Sequence, residues 1–230
     1  MNKKNVFAIG LLGLLLFIFL HRPTRSFLSD TVFFLYALIR HPQRIGAIIP
    51  SSPFLADEIV KHIKKKNRPI KILEVGAGTG AFTGKIIEKM TQQDTLDVVE
   101  LDVNLCNILR KKFKKYKNVA IHCVSILDFR VNGAYDFIIS GLPFNSFDSE
   151  LVFSIIDSYR QLIKNNGIIS YFEYLFAANI RRFFSTGAKR ANFVKNMQIL
   201  ENFRKSYLFE QNSVLINVPA AYVYHLQIKK

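Results

Sequence analysis

Strand-length apolar runs alternating with helix-period segments predict an α/β fold built on a mostly parallel sheet with helices on both faces. Three observations carry the prediction. Apolar runs recur at 70–76, 95–101, 118–124, 135–140 and 167–173, with helical patterns between them near 81–91, 104–116, 149–164 and 176–202. A glycine turn, Gly76-Ala77-Gly78-Thr79-Gly80, leads directly from the first strand into the first helix. Finally, no long helix separates 205–211 from 221–228, so these two strands are expected to form an antiparallel pair at the sheet edge. Seven strands result.

The start of the chain reads differently. Val6 to Leu20 is a run of 15 apolar or glycine residues, preceded by Lys3 and Lys4 and followed by His21, Arg22 and Arg25. A spanning helix takes about 20 apolar residues and rarely fewer than about 17, so the run is short for a span and long enough for a signal-peptide core. No small-x-small cleavage site follows Leu20. This favours residues 1–25 as a retained membrane anchor, spanning or interfacial, over a cleaved signal. Basic residues on both flanks leave its orientation open. Phe27 to Ile39, which contains Ser29 and Asp30, suits either an amphipathic helix on the membrane surface or a helix buried against the main domain. Residues 26–52 are therefore read as amphipathic or lid helices, and 53–230 as the main domain.

In an open parallel sheet the ligand lies over the carboxyl ends of the central strands. Gly76 and Gly78 provide the tight or positive-φ backbone of the turn and let a ligand approach the main chain beside Ala77, while Gly80 lets the helix pack close to its strand. Glu100 ends the second strand 20 positions after Gly80, where a carboxylate accepts hydrogen bonds from ribose hydroxyls. A dinucleotide fold also carries such an acid, but its turn is G-x-G-x-x-G, whereas this one is G-x-G-x-G. Glu74, just before the turn, would repel a pyrophosphate and suits a cation. S-adenosylmethionine, with its sulfonium and amino groups, satisfies both features. Asp128, after the third strand, is positioned either to accept from the adenine amino group or to cap a turn. Leu101 and Ile126 are candidates to sandwich the adenine, and Ser140 closes the fourth strand beside them.

The net charge is +15, from 32 basic and 17 acidic residues, which points to a phosphate-bearing partner, nucleic acid or anionic membrane, without choosing between them. Cys106 and Cys123 have no metal-ligand spacing, so neither a zinc site nor a disulfide framework is expected, and a reducing compartment fits. The histidines, His21, His41, His62, His122 and His225, form no paired pattern, and metal catalysis has no support.

Beyond the generic turn, several segments are more specific. Glu74-Val-Gly-Ala-Gly-Thr-Gly, Val99-Glu100-Leu-Asp, Ser140-Gly141-Leu142-Pro143-Phe144 and the stretch from His41-Pro42 to Pro50-Ser51-Ser52 resemble the bacterial phospholipid N-methyltransferases, from about Phe33 to the C-terminus. The resemblance implies the class I methyltransferase (Rossmann-like) fold, a seven-stranded sheet with an antiparallel last strand preceded by N-terminal membrane-associated helices. It implies stepwise methylation of phosphatidylethanolamine at the membrane surface, with S-adenosyl-L-methionine as donor and S-adenosyl-L-homocysteine as product. Membrane phospholipids would be the partners, with nucleic acid disfavoured. Because the donor is a cytosolic metabolite, the catalytic domain would face the cytoplasm. The apolar N-terminal run departs from the surface helices expected of the family.

Within that resemblance, Gly141, Leu142, Pro143 and Phe144 form the acceptor loop, and Phe144, Tyr171 and Tyr174 supply aromatic faces for a methylated ammonium. Arg40 and Arg44 would hold a lipid phosphate. The attacking amine must lose a proton, to Tyr36, His41, water or the phosphate. RNA adenine-N6 dimethyltransferases are the rival. They share the glycine run and the acid, and have an N-L-P-Y segment similar to Gly141 to Phe144, but here the Asn position is glycine, and a helical RNA-binding domain after the last strands is not expected. A third reading is a membrane-anchored, non-catalytic domain of the same fold that binds lipid.

Overall fold

In the computed structural model, residues 52–64, 66–131, 134–175, 187–217 and 220–230 are described. Seven strands, β1 (Lys71–Val75), β2 (Thr95–Glu100), β3 (Val119–Cys123), β4 (Tyr135–Ser140), β5 (Ile163–Tyr174), β6 (Leu208–Val214) and β7 (Ala221–Ile228), form one sheet in the order β3-β2-β1-β4-β5-β7-β6. The pairs from β3 across to β5 are parallel; β7 runs antiparallel to both β5 and β6. Strand order reverses between β1 and β4, and the register pairs Val75 with both Val99 and Ser140, so β1, β2 and β4 end level with one another. That is the switch point at which such sheets bind ligands.

Five described helices cover the sheet: α1 (Pro53–Ile59), α2 (Ala81–Lys89), α3 (Val103–Phe113), α4 (Ser149–Leu162) and α5 (Gly187–Tyr207). On one face Leu55 and Ile59 of α1, Phe82 and Ile86 of α2, and Leu109 and Phe113 of α3 pack on Ile72, Val98 and Phe137. On the other, Val152, Ile155 and Tyr159 of α4 join Leu200 and Phe203 of α5 over Leu73, Ile138 and Ile169. Both layers follow from strands that are apolar on both sides. Ser52 caps α1 by accepting from the Leu55 N–H at 3.2 Å, with Pro53 at the first helical position.

Two boundaries differ from the sequence reading. The expected helix at 176–202 and strand at 205–211 are displaced toward the C-terminus, because Leu200 and Phe203 are buried and Phe203 meets Tyr207 at a ring distance of 5.6 Å, which carries helical spacing through Tyr207. The 176–186 part of that helix lies outside the described residues. β5 begins at Ile163, earlier than expected, since Ile163 is buried opposite Tyr135. The chain then slips register before Ile168 meets Phe137, with Asn166 at φ 59°. Among the described residues no helix is long and apolar enough to cross a membrane. The anchor over 1–25 and the lid over 26–52, Ser52 excepted, fall outside them.

A third difference concerns Cys106 and Cys123, which form a disulfide with Cα atoms 6.1 Å apart. Spacing gave no sign of it. The crossover from β2 to β3 lays the buried inner face of α3, with Cys106, against the end of β3.

At the opposite end of the sheet from the switch point, the buried carboxylate of Asp136 gathers Lys66 at 3.3 Å, Lys164 at 2.8 Å and the Arg68 guanidinium, and accepts from the Lys71 N–H at 3.0 Å. The register slip in β5 is what brings Lys164 within reach.

Candidate active site

The glycine turn is left-handed at three positions, Gly76 (φ 73°), Gly78 (φ 57°) and Gly80 (φ 83°), a backbone that glycine adopts without the Cβ penalty. Gly76 donates to the Val99 carbonyl at 2.9 Å and Gly141 donates to the Val75 carbonyl at 2.8 Å, stitching the turn and the acceptor loop to neighbouring strands. These two glycines meet. A Cβ on Gly141 would lie 2.4 Å from the Gly76 carbonyl oxygen, and one on Gly76 would lie 2.7 Å from Leu142 Cδ2. Gly78, by contrast, faces open space.

Glu100 is buried, and its carboxylate accepts from Gly78 N–H at 2.9 Å through Oε2 and from Leu101 and Asp102 N–H at 2.8 and 3.0 Å through Oε1. It therefore fastens the end of β2 to the glycine turn. A carboxylate has about four acceptor positions, so one remains for a ribose hydroxyl before any backbone bond is displaced. Leu101 beside it is 70 % exposed, a free apolar face at the place an adenine would occupy. Asp128 is also exposed, in a turn closed by its N–H to the Ser125 carbonyl at 3.0 Å. Ile126 is buried in the core. The turn Ala77 to Gly80 is braced from outside by Lys112, whose Nζ donates to the Thr79 carbonyl at 3.0 Å.

Glu74 is fully buried. Its Oε2 accepts from Thr83 Oγ1 at 2.6 Å while Oε1 has no partner, and burial pushes its carboxyl up to about 7, against the Thr83 hydrogen bonds. An unsatisfied buried acceptor beside a glycine turn suits a cationic ligand, and this is the feature that fits S-adenosylmethionine best. A cation favours the ionised carboxyl, so donor affinity is expected to rise with pH through about 7 and to lose that slope in Glu74→Gln; titration calorimetry between pH 6 and 8 checks it.

Ser140 ends β4 fully buried, accepting from Tyr159 OH at 2.9 Å and from Leu142 N–H at 3.4 Å, so its hydroxyl is engaged within the protein. The chain then passes Leu142 and Pro143 into a 3-10 turn, Phe144–Ser146. The Phe144 ring, 3 % exposed, packs edge-on against Tyr171 at 5.5 Å and Tyr159 at 6.4 Å. Tyr171 in turn accepts from Arg204 at 3.2 Å. Tyr174 belongs to the opposite face of β5, against Phe172 at 5.2 Å, because strand side chains alternate. The aromatic set read from sequence is thus divided: Phe144 and Tyr171 meet, and Tyr174 does not join them. Tyr36, Arg40, His41 and Arg44 lie outside the described residues.

Sequence reasoning missed Thr83, Lys112 and Arg204. Thr83 sits in the first turn of α2, nine positions after Glu74, a signal that could have been read; the other two act across the fold.

A parallel sheet closed by an antiparallel hairpin, a glycine turn at the switch point and an acid ending β2 define a class I S-adenosylmethionine-dependent methyltransferase. Comparison with known proteins agrees and narrows the class. The family profile of the ribosomal RNA adenine dimethylases matches residues 43–177, more than half of the chain, and the protein belongs to that family. An ornithine lipid N-methyltransferase from Singulisphaera acidiphila is 29 % identical over 166 residues, covering 68 % of this chain and 86 % of that protein. Ribosomal RNA small subunit methyltransferase A from Mesomycoplasma hyopneumoniae is 33 % identical over 114 residues, 48 % of this chain and 40 % of that one. The same enzyme from Pseudomonas fluorescens is 27 % identical over 183 residues, covering 77 % and 63 %. Against these ribosomal enzymes the chain spans less than two thirds of their length. Among solved structures, the N-methyltransferase NodS from Bradyrhizobium japonicum WM9, in complex with S-adenosyl-L-homocysteine, superposes with a TM-score of 0.57 at 15 % identity, over 77 % of this chain and 89 % of that one. The cofactor is S-adenosylmethionine.

Proposed function

We propose that the protein methylates the amine of a phospholipid headgroup, phosphatidylethanolamine, stepwise to its mono-, di- and trimethylated forms at the cytoplasmic surface of the membrane. The observation that carries this reading is the alignment with a lipid N-methyltransferase over most of both chains. Position 141 adds a physical argument. The Gly76 carbonyl occupies the space a Cβ would need there, so position 141 offers no side-chain amide to hold a base.

When bound, S-adenosylmethionine supplies a methyl group on a sulfonium, open to in-line displacement. The chain's own residues then have only to align and deprotonate the amine. Leu142 and Pro143 form the wall beside Gly76, and Phe144 with Tyr171 backs it. In this reading the proton goes to the lipid phosphate, water, His41 or Tyr36, and Arg40 and Arg44 bind the headgroup phosphate as two-donor forks. The anionic surface would be met by Arg110, Lys111, Lys112, Lys114, Lys115 and Lys117 at the end of α3, all exposed and none in an ion pair among the described residues. Changing Lys111, Lys114, Lys115 and Lys117 together to Gln is expected to weaken binding to anionic vesicles by roughly tenfold or more at low salt, and much less at high salt. Vesicle sedimentation at two ionic strengths measures it.

The deciding assay incubates the protein with labelled S-adenosylmethionine and vesicles of phosphatidylethanolamine, with ornithine lipid and with small-subunit ribosomal RNA in separate arms. Labelled mono- and dimethylated phosphatidylethanolamine on thin-layer chromatography is the expected result. Label on ornithine lipid alone would move the headgroup and keep the reaction. Label on RNA alone would overturn the reading in favour of adenine dimethylation, which the family profile supports.

A further inference from the structure

The loop after β4 is held from a distance. Asp148 occupies the N-cap of α4, yet its side chain makes no capping bond. The Ser149 N–H, one of the donors that a helix start leaves without an internal partner, goes instead to Asn192 Oδ1 at 2.9 Å. Asn192 also donates Nδ2 to Asp148 Oδ1 at 3.3 Å and to the Phe147 carbonyl at 3.5 Å. One turn further along α5, Asn196 is 1 % exposed and donates Nδ2 to the Phe147 carbonyl at 2.5 Å and the Phe144 carbonyl at 3.4 Å.

Both asparagines belong to one stripe. Asn192, Asn196, Leu200 and Arg204 recur every four residues, so they share a face of α5. Leu200 is buried in the core, and Arg204 bonds Tyr171 OH at 3.2 Å and the Glu173 carboxylate at 2.7 Å. The stripe therefore runs from the 3-10 turn behind Pro143 to the end of β5, the two places that bound the acceptor side of the site. Asn196 Oδ1 has no partner. A buried acceptor left unpaired costs stability, so an apolar side chain would serve the packing of α5 better; the amide answers the needs of two loop carbonyls.

We infer that Asn196, seconded by Asn192, is a positioning residue for methyl transfer: it fixes the Leu142 to Ser149 loop so that the acceptor amine is aligned, without contributing to donor binding. The inference rests on the methyltransferase class and holds for whichever acceptor is used.

Asn196→Leu removes both donors at similar volume, Asn196→Asp removes them at the same shape, and Asn202→Leu on the exposed face of α5 is the control. With the acceptor that the wild-type protein methylates, kcat is expected to fall at least tenfold in both Asn196 variants. S-adenosylhomocysteine affinity should stay within about twofold, the leucine variant should stay folded at the assay temperature with at most a modest fall in melting temperature, and the control should be unchanged. Amide hydrogen exchange over 142–149 should accelerate about tenfold in the leucine variant while β1 and β4 remain protected, a readout that needs no acceptor and so separates this inference from the proposed lipid substrate. Unchanged exchange in that loop, unchanged kcat, or a fall in donor affinity and melting temperature in step with kcat would each overturn it.

Discussion

Glu100→Ala is expected to lower affinity for S-adenosylhomocysteine by about a hundredfold. The carboxylate loses a charge-assisted bond to ribose, worth roughly 1.5 to 3 kcal/mol, and at the same time releases the Gly78, Leu101 and Asp102 N–H groups that it holds. Each 1.4 kcal/mol is about tenfold, so a loss of about 3 kcal/mol gives the stated factor. Glu100→Gln keeps one acceptor oxygen and should fall in between. Titration calorimetry on the folded variants decides the matter. Affinity equal to wild type would mean that the ribose does not lie over the end of β2.

The second large effect concerns stability. Asp136→Asn should destabilise the fold by about 3 kcal/mol, because removing a buried charge that gathers several cations leaves them unpaired. The lower end of the usual range applies, since the Lys66 and Arg68 side chains are half exposed and screened by solvent. Burial alone would raise the Asp136 carboxyl, but Arg68, Lys164 and the Lys71 N–H outweigh it and hold it well below the usual carboxylate range. A carboxyl depressed on folding contributes stability that is present above the unfolded value of 3.8 and is lost as pH falls toward the folded one. Urea denaturation from pH 3 to 7 should therefore show a steep acid limb in wild type and a flatter one in Asp136→Asn. Donor affinity should be unaffected, because Asp136 lies at the far end of β4 from Ser140. A variant as stable as wild type would show that these pairs merely cover a surface.

What was legible in the sequence was local. Gly76 to Gly80 and Glu100 could be read because a turn and an acid at fixed spacing belong to one β-α-β unit, and Gly141 to Phe144 because the chain carries them contiguously. The partners of those groups were not legible. Lys112 reaches Thr79 from another element, Asn192 and Asn196 lie far along the chain from the loop they hold, and Asp136 draws its cations from the segment before β1 and from β5, on either side of its own strand. Cys106 and Cys123 met for the same reason. The boundary between α5 and β6 moved because Leu200 and Phe203 are buried in the core with Tyr207 packed against it, a tertiary placement that overrides the strand-like character of the residues around them. Tyr174 was separated from Tyr171 by the alternation of a strand whose length was misjudged.

Gly76 and Gly141 touch through backbone, with no side chain between them to be exchanged. The donor turn and the first residue of the acceptor loop are therefore coupled, and any side chain at position 141 would require the Gly76 carbonyl to move. On this backbone a change of acceptor is made instead around that contact, along the polar stripe of α5 that holds the loop from behind.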